Sequence, residues 1–319
     1  RSRALSSTTM ARPRLQSDSF NGRLDGQAMA EFSSLPAISD TLAKMERSLA
    51  DAGVPDPRAD AEWLLAAVLK TSRSGIFVNP FRRLTPAQYN HLRGFVEKRR
   101  ARVPLQHLLG ETEFFSLPFY VGPDALIPRP ETEILVETLV DRLDGHTGPR
   151  ILDVGTGAGP VAVALAHAIP GSRLVATDVS RRALRLADRN ACRNDVQHRI
   201  AFVCADLLAA FRSRSAFHAV VSNPPYVATR DLPNLQPEVR CFDPPLALDG
   251  GPDGLAFHRL IIDRAPDHIC TGGWLALEIG DGAASAVLNL LEKSPEFIHE
   301  RTVSDLTGTE RILLARKRA

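Results

Sequence analysis

Alternation of strand and helix signals beyond residue 150 is the strongest constraint on what this chain of 319 residues can fold into. Short apolar or β-branched runs at residues 151–154, 173–177, 200–204, 219–222, 274–279 and 311–315 read as strands. Residues 160–168, 181–190, 255–265 and 283–291 read as helices between them. Such alternation predicts an α/β fold, with a parallel sheet covered by helices on both faces. The loops that follow successive strands then share one sheet edge, and their polar residues are the first candidates for a site.

Ahead of this region the signals are helical. Leu42, Met45, Leu49 and Ala52 recur at three- and four-residue spacing before Gly53, a C-cap type residue, and Asp56-Pro57 opens a second helix through Trp63, Leu64 and Leu69. Thr85-Pro86-Ala87-Gln88 is a capping-box pattern for a third helix. That helix ends in Lys98-Arg99-Arg100-Ala101-Arg102, a run that reads as a solvated helix end favoured by the macrodipole. Residues 113–121, with Phe114, Phe115, Pro118, Phe119 and Tyr120, read as short strands or a hairpin. Pro128-Arg129-Pro130 breaks regular structure before a helix expected to begin at Glu131 and run through Ile134, Leu135, Thr138 and Leu139. The expected organisation is a disordered or processed tail over residues 1–30, a helical domain over 31–105, a β-hairpin linker over 106–130 and the α/β domain over 131–319.

Composition narrows the function classes. No apolar run approaches the roughly 20 residues of a membrane-spanning helix, so a soluble chain without a membrane partner is expected. Residues 1–30 hold five Arg against two Asp, whereas the rest of the chain carries one more acid than base. That balance offers no basic stripe for gripping duplex nucleic acid. The Arg- and Ser-rich lead does not begin with Met, and Met29 is a candidate start. Its composition is shared by mitochondrial transit peptides, which makes a mitochondrial location the alternative to the expected cytoplasmic one. Cys192, Cys204, Cys241 and Cys270 lie far apart without a C-x-x-C pair, and the nine His show no ligand spacing. They predict reduced, partly buried thiols and no metal site.

The segment Ile151-Leu152-Asp153-Val154-Gly155-Thr156-Gly157-Ala158-Gly159 sets three glycines between a strand and a helix. Glycine lets the backbone approach a ligand closely, and a helix N-terminus offers unpaired N–H groups. Pro160 stands where a dinucleotide fingerprint needs its last glycine, which lowers an oxidoreductase reading. Asp178 ends the second strand, where an acid can accept both hydroxyls of a ribose, and Asp206 follows the third at the same edge. The ligand these parts suggest carries ribose and adenine.

Asn223-Pro224-Pro225-Tyr226 is the most specific feature. Consecutive prolines lack N–H groups and have fixed φ, so a backbone carbonyl is left free and rigidly aimed. The Asn side-chain oxygen is a second acceptor. Two acceptors match the two hydrogens of a planar NH2, and the Tyr ring can stack on the group that carries it. An amide or exocyclic amine is a poor nucleophile and must be held in line with an activated methyl group, where orientation contributes at best roughly 7 to 11 kcal/mol. The same acceptors stabilise positive charge developing on nitrogen, so no catalytic His, Cys or Lys is needed.

These residues resemble the S-adenosylmethionine-dependent methyltransferases with an N-P-P-Y motif, and within them the PrmC/HemK family of release factor glutamine methyltransferases. The resemblance covers about residues 38–317. It rests on Pro104-Leu105-Gln106-His107 through Gly110, residues 126–133, the glycine loop, Ser222 to Tyr226, residues 246–254, Leu277-Glu278-Ile279-Gly280 and residues 305–311. It implies a Rossmann-like, seven-stranded class I methyltransferase sheet with its last strand antiparallel, joined to a small helical domain that recognises the substrate. It further implies that S-adenosyl-L-methionine, leaving as S-adenosyl-L-homocysteine, is surrounded by Gly155, Thr156, Gly157, Ala158, Gly159, Asp178, Asp206, Leu207 and Asn223. The implied substrate is the Gln of the Gly-Gly-Gln motif in class 1 peptide chain release factors, methylated on N5. Asn223, Pro224 and Tyr226 would be catalytic, and Pro225, Arg129 and Glu131 would help shape the substrate pocket. His218, Cys241 and Pro245 depart from residue types common in the family, whereas Pro160 suits a first helical turn.

A glutamine methyltransferase acting on a ribosomal protein shares this chemistry and is the nearest alternative. An adenine-N6 nucleic-acid methyltransferase would offer the same acceptors a flipped base but normally needs a basic groove. A non-catalytic module would be expected to have lost the Asn or the glycines, which this chain keeps. The chain is expected to act as a monomer, without a stable nucleic-acid partner.

Overall fold

The computed structural model describes residues 35–211 and 216–318. The expected tail over residues 1–30 lies outside them. Helices α1 (Ile38–Ala50), α2 (Pro57–Leu69), α3 (Pro86–Arg100) and the short α4 (Leu105–Leu109) bury Leu42, Met45, Leu49, Leu64, Leu65 and Leu92 against one another. The capping box forms as the sequence predicts: Gln88 N donates to Thr85 Oγ1 at 3.2 Å and Thr85 N donates to Gln88 Oε1 at 3.0 Å. Strands β1 (Glu111–Phe114) and β2 (Leu117–Tyr120) pair as an antiparallel hairpin. Pro130–Thr132 tightens into a 3-10 turn, in which Thr132 N donates to Arg129 O, so helix α5 (Glu133–Leu143) starts two residues later than expected.

The α/β region then runs β3 (Arg150–Val154), α6 (Pro160–Ala168), β4 (Arg173–Asp178), α7 (Arg181–Arg193), β5 (Ile200–Cys204), β6 (Phe217–Ser222), α8 (Pro237–Phe242), α9 (Ala256–Arg264), β7 (Ile269–Glu278), α10 (Ala284–Glu292), β8 (Phe297–Ser304) and β9 (Glu310–Lys317). The seven strands from β3 onward form one sheet in the order β5-β4-β3-β6-β7-β9-β8. Only β9 opposes its neighbours, pairing antiparallel with both β7 and β8. Side chains on the central strands are buried on alternating faces. Ile151, Ala219, Val221, Ala276 and Leu314 pack under α5 and α6, while Leu152, Val220, Leu275, Leu277 and Leu313 pack under α9 and α10. Among the described residues no helix is long and apolar enough to cross a membrane.

Three expectations are corrected. Strand β8 gave no sequence signal because it lies at the sheet edge and buries only Phe297 fully, so its run of His299, Glu300 and Arg301 lacks an apolar face. Cys192, Cys204 and Cys241 are exposed and only Cys270 is half-buried, because the first three fall at element ends or on outward faces rather than at core positions. The basic end of α3 is not simply solvated. Arg99, 4% exposed, donates from Nε to Asp60 Oδ2 at 2.6 Å and from Nη2 to Glu238 Oε1 at 2.8 Å, while Arg102 grips both Glu238 oxygens at 2.6 Å. The last turn of α3 abuts α8, so the helix end that the macrodipole favours becomes the link between the helical region and the sheet.

Removing Glu238 leaves the half-buried Arg102 guanidinium without its carboxylate and the buried Arg99 with Asp60 as its one carboxylate partner. Glu238→Ala is expected to cost about 1–3 kcal/mol, read as a lower urea midpoint. An unchanged midpoint would show that the link contributes nothing to stability.

Candidate active site

Strands β3 and β6 lie side by side, and the chain leaves them in opposite lateral directions, β3 toward β4 and β6 toward β7. The crevice at their carboxyl ends is the place where parallel sheets bind ligands. Ser222 Oγ donates to Val154 O at 2.6 Å, locking the two strand ends together at the floor.

The glycine loop curls onto the end of β4. Gly155 N and Thr156 N both donate to Thr177 O at 2.8 Å, Gly157 N donates to Asp178 Oδ2 at 2.9 Å, and Gly159 N donates to Thr156 O at 2.8 Å. The three glycines all have positive φ, from 57° to 82°, which makes this tight course accessible to them. A Cβ on Gly159 would stand 3.0 Å from Ala187 Cβ, so this glycine serves close packing against α7. The expected unpaired N–H groups are thus spent within the protein at these four positions. Pro160 occupies the first turn of α6, where it costs no hydrogen bond.

Buried carboxyl groups hold this course. Asp153, 1% exposed, accepts from Thr156 Oγ1 at 2.6 Å, and burial, aided by the charge of Asp178, pushes its pKa up to about 7. Asp178 accepts from Gly157 N and, through Oδ1, from Ser180 N at 2.8 Å; burial raises its pKa despite both donors. Asn190, fully buried on α7, binds the loop to the hairpin: its Nδ2 donates to Ala158 O at 2.9 Å and to Tyr120 O at 3.1 Å, and its Oδ1 accepts from Tyr120 N at 2.7 Å. Asp206 is exposed in the turn after β5, and the adjacent Leu207 has φ +50°, a conformation that costs a non-glycine residue energy and aims its backbone into the cleft wall.

The Asn223-Pro224-Pro225-Tyr226 segment is set by its neighbours' backbone. Residues 248–251 run beside it: Val227 N donates to Leu248 O, Gly250 N to Val227 O and Thr229 N to Gly251 O. A Cβ on Gly250 would lie 2.8 Å from Pro225 O and Tyr226 Cα, and one on Gly254 2.4 Å from Tyr226 O. Asn223 Nδ2 donates to Thr132 Oγ1 at 3.1 Å, which turns Oδ1 the other way. Among the described residues neither Asn223 Oδ1 nor the Pro224 carbonyl accepts a hydrogen bond. Tyr226 donates from its hydroxyl to Glu278 Oε1 at 3.3 Å, and its ring lies against Gly280. Glu278, 2% exposed, has its pKa raised to about 7 by burial.

One cleft of about 1220 Å³, counted out to its open mouth, joins these parts. Gly155, Thr156, Gly157, Ala158, Asp178, Asp206, Leu207, Asn223, Pro224, Pro225 and Arg129 line it, whereas Gly159, Glu131 and Tyr226 lie off its wall. Arg129 donates to Asp243 Oδ2 at 2.6 Å and so braces the wall with its charge compensated. Sequence reasoning singled out neither Thr132, Asn190, Asp243 nor Glu278 as functional. Glu278 alone left a signal, an acid closing the apolar strand Leu275-Ala276-Leu277.

The donor set tests which ligand class fits. Asp124, Asp178 and Asp206 line the cleft, with the buried Asp153 beneath them, and among the described lining residues the one Lys or Arg is Arg129, already paired with Asp243. With four of the loop N–H groups also spent, the cleft offers acceptors for hydroxyls and favours positive charge. It suits a cationic nucleoside such as a sulfonium-bearing one, and it suits a polyphosphate poorly.

Two outcomes are expected here. Gly254→Ala should destabilise the chain by about 1–3 kcal/mol in urea unfolding, since a methyl group meets backbone rather than a movable side chain. Asp153 has an ordinary value of 3.8 and a folded value of about 7, so between these the folded chain keeps a proton that the unfolded chain has lost. Its contribution to stability is full below that window and lost as pH rises to about 7. Asp153→Asn should flatten this part of the midpoint-versus-pH curve, and an unchanged slope would contradict the burial argument.

Comparison with known proteins agrees with the geometry. Residues 40–110 match the PrmC N-terminal domain family and residues 130–236 the methyltransferase small domain family. A release factor glutamine methyltransferase of Geobacter sulfurreducens is 42% identical over 83% of this chain and 91% of its own length. Another, from Moorella thermoacetica, is 39% identical over 88% of this chain and 99% of its own length. The crystal structure of a methyltransferase from Pyrococcus furiosus, 19% identical with a TM-score of 0.51, covers 70% of this chain and all of that one, and shares the fold. With two relatives matched over nearly their whole lengths and both halves of the fold recognised, the chain belongs to the release factor glutamine methyltransferase family.

Proposed function

We propose that the chain transfers the methyl group of S-adenosyl-L-methionine to the side-chain N5 of the Gln in the Gly-Gly-Gln motif of class 1 peptide chain release factors. The observation that carries this reading is the pair of acceptors, Asn223 Oδ1 and the Pro224 carbonyl, which accept no hydrogen bond among the described residues at the wall of an acid-lined cleft. Bound there, S-adenosyl-L-methionine supplies an electrophilic methyl carbon on a sulfonium. Asp178, fixed at the end of β4, is placed to accept ribose hydroxyls, with Asp206 and Leu207 on the next loop and residues 155–158 closing the other side.

The rest of the chemistry falls to this chain's acceptors. Asn223 Oδ1 and Pro224 O take both hydrogens of the substrate amide, which fixes the nitrogen in line with the methyl carbon. As the nitrogen lone pair formed its bond to the methyl carbon, the carbon–sulfur bond would break with its electron pair leaving on the sulfur of S-adenosyl-L-homocysteine. The nitrogen would become positive, and the two oxygens would stabilise that charge before one N–H proton passed to water. Pro225, Arg129 and, from outside the wall, Tyr226 and Glu131 shape the opening through which the glutamine enters. The domain expected over residues 31–105 would select the protein substrate, joined to the catalytic domain expected over 131–319 by the segment 106–130, which holds the end of α4 and the β1–β2 hairpin.

Transfer of labelled methyl to a purified class 1 release factor tests this, beside the same factor with its motif Gln changed to Ala, a ribosomal fraction and DNA. Label is expected on the unaltered factor alone, and Asn223→Ala is expected to lower kcat by about 100- to 1000-fold. Label appearing only on the ribosomal fraction or on DNA would overturn the substrate assignment.

A further inference from the structure

Behind Asn223 stand two residues that the proposed chemistry does not use. Thr132, 2% exposed in the 3-10 turn before α5, accepts from Asn223 Nδ2 at 3.1 Å. It neighbours the Glu278 carboxyl and favours the ionised form of that group. Glu278 closes β7; its Oε1 accepts from the Tyr226 hydroxyl at 3.3 Å, and its Oε2 is buried without a hydrogen bond among the described residues. The backbone there is pinned by fully buried His258, whose Nε2 lies 2.9 Å from Glu278 O.

An asparagine amide is nearly symmetric in shape, and only its partners determine which end points where. Flipped, Asn223 would present its own NH2 to the substrate's NH2, donor against donor. A hydroxyl has one hydrogen to give. Glu278 Oε2, buried and without another partner among the described residues, is the acceptor open to it, and a Thr132 hydroxyl that donates there can only accept from Asn223 Nδ2. We propose that Thr132 and Glu278 are positioning residues that hold the Asn223 amide with Oδ1 toward the substrate, the carboxylate fixing the hydroxyl and the hydroxyl fixing the amide. This inference rests on the reading that Asn223 Oδ1 accepts a substrate N–H.

The surroundings make the relay sensitive to pH. Glu278 faces Tyr226, Thr132, the acid Glu131 and the base Arg311, which is itself held by Asp305 at 2.8 Å, and burial outweighs the rest in raising its pKa to about 7. Protonated, Glu278 no longer needs the Thr132 hydrogen, and the amide loses its fixed partner. Methyl transfer at saturating substrate therefore rises with pH through about 7.

The test uses the full chain with S-adenosyl-L-methionine and a class 1 release factor. Thr132→Val and Glu278→Gln are expected to lower kcat about 10- to 100-fold, with KM for the factor and affinity for S-adenosyl-L-methionine little changed. Thr132→Ser should recover much of the rate lost in Thr132→Val, and Glu278→Gln should abolish the rise in kcat near pH 7. A second readout needs no methyl acceptor: in protein labelled with 15N-asparagine, the Asn223 NH2 signals, assigned by Asn223→Asp, should shift with pH near 7 and move toward those of a free amide in Thr132→Val. Asn223 signals that ignore Thr132→Val would overturn the proposal, as would full kcat in both Thr132→Val and Glu278→Gln. Failure of the unaltered chain to methylate the factor would count against the substrate reading alone, and the asparagine signals would then decide the positioning role. If Glu278→Gln does not fold, the contrast between Thr132→Val and Thr132→Ser decides it.

Discussion

Everything at the site depends on the pairing of β3 with β6. Ile151, Leu152 and Asp153 lie opposite Ala219, Val220 and Val221, so the loop after residue 154 and the loop after residue 222 emerge next to one another although 68 residues separate them in sequence. All six of these residues are buried, which fixes the register on both faces at once: a slip of one position would exchange the two cores. The Ser222 hydroxyl adds a direct tie to Val154 O across the join. Glycine loop and N-P-P-Y segment are therefore brought together by strand register, and neither loop has to be stiff over a long span.

Above that floor, backbone does the shaping. The glycine loop spends three of its N–H groups on β4 and one within itself, and Gly250 and Gly254 press against the backbone of residues 225–226 so closely that a methyl group at either has no room. Carbonyls and carboxylates are what remain on the cleft wall. A helix N-terminus preceded by a glycine loop usually suggests phosphate, yet here four of the loop N–H groups are consumed within the protein and Asp124, Asp178 and Asp206 stand in the wall. Loop chemistry alone could not distinguish the two cases, because the same glycines permit either course; the hydrogen-bond accounting does.

What was legible in the sequence follows from this. Strands β3, β4, β5 and β6 announced themselves because each is a short apolar run ended by a polar or glycine residue, and the residues at or just past their ends, Gly155, Asp178, Asp206 and Asn223, could be named in order. Contacts between segments distant in sequence were not legible. Asn190 looks like an ordinary helix residue until α7 turns it toward Tyr120 and Ala158. Arg99 looks like a solvated charge until α8 places Glu238 against it. Thr132 carries no signal at all, since a threonine beside a proline turn is common, and it acquires a partner only when β6 delivers Asn223. Edge strand β8 was invisible because one side of it faces water and its apolar period is lost.

The same long-range contacts couple the two ends of the molecule. Helix α8 follows the N-P-P-Y segment by about a dozen residues and carries both Glu238, which holds Arg99 and Arg102, and, just beyond its end, Asp243, which holds Arg129. One short helix is thus tied by ion pairs to the helical region on one side and to the cleft wall on the other. Arg99 and Asp243 are nearly inaccessible, so water cannot readily replace either pair if the helix shifts. A macromolecule gripping the helical region would therefore load the wall of the cleft through α8. On the proposed reading, the region that recognises the release factor and the wall that receives its glutamine meet on one short helix through buried ion pairs.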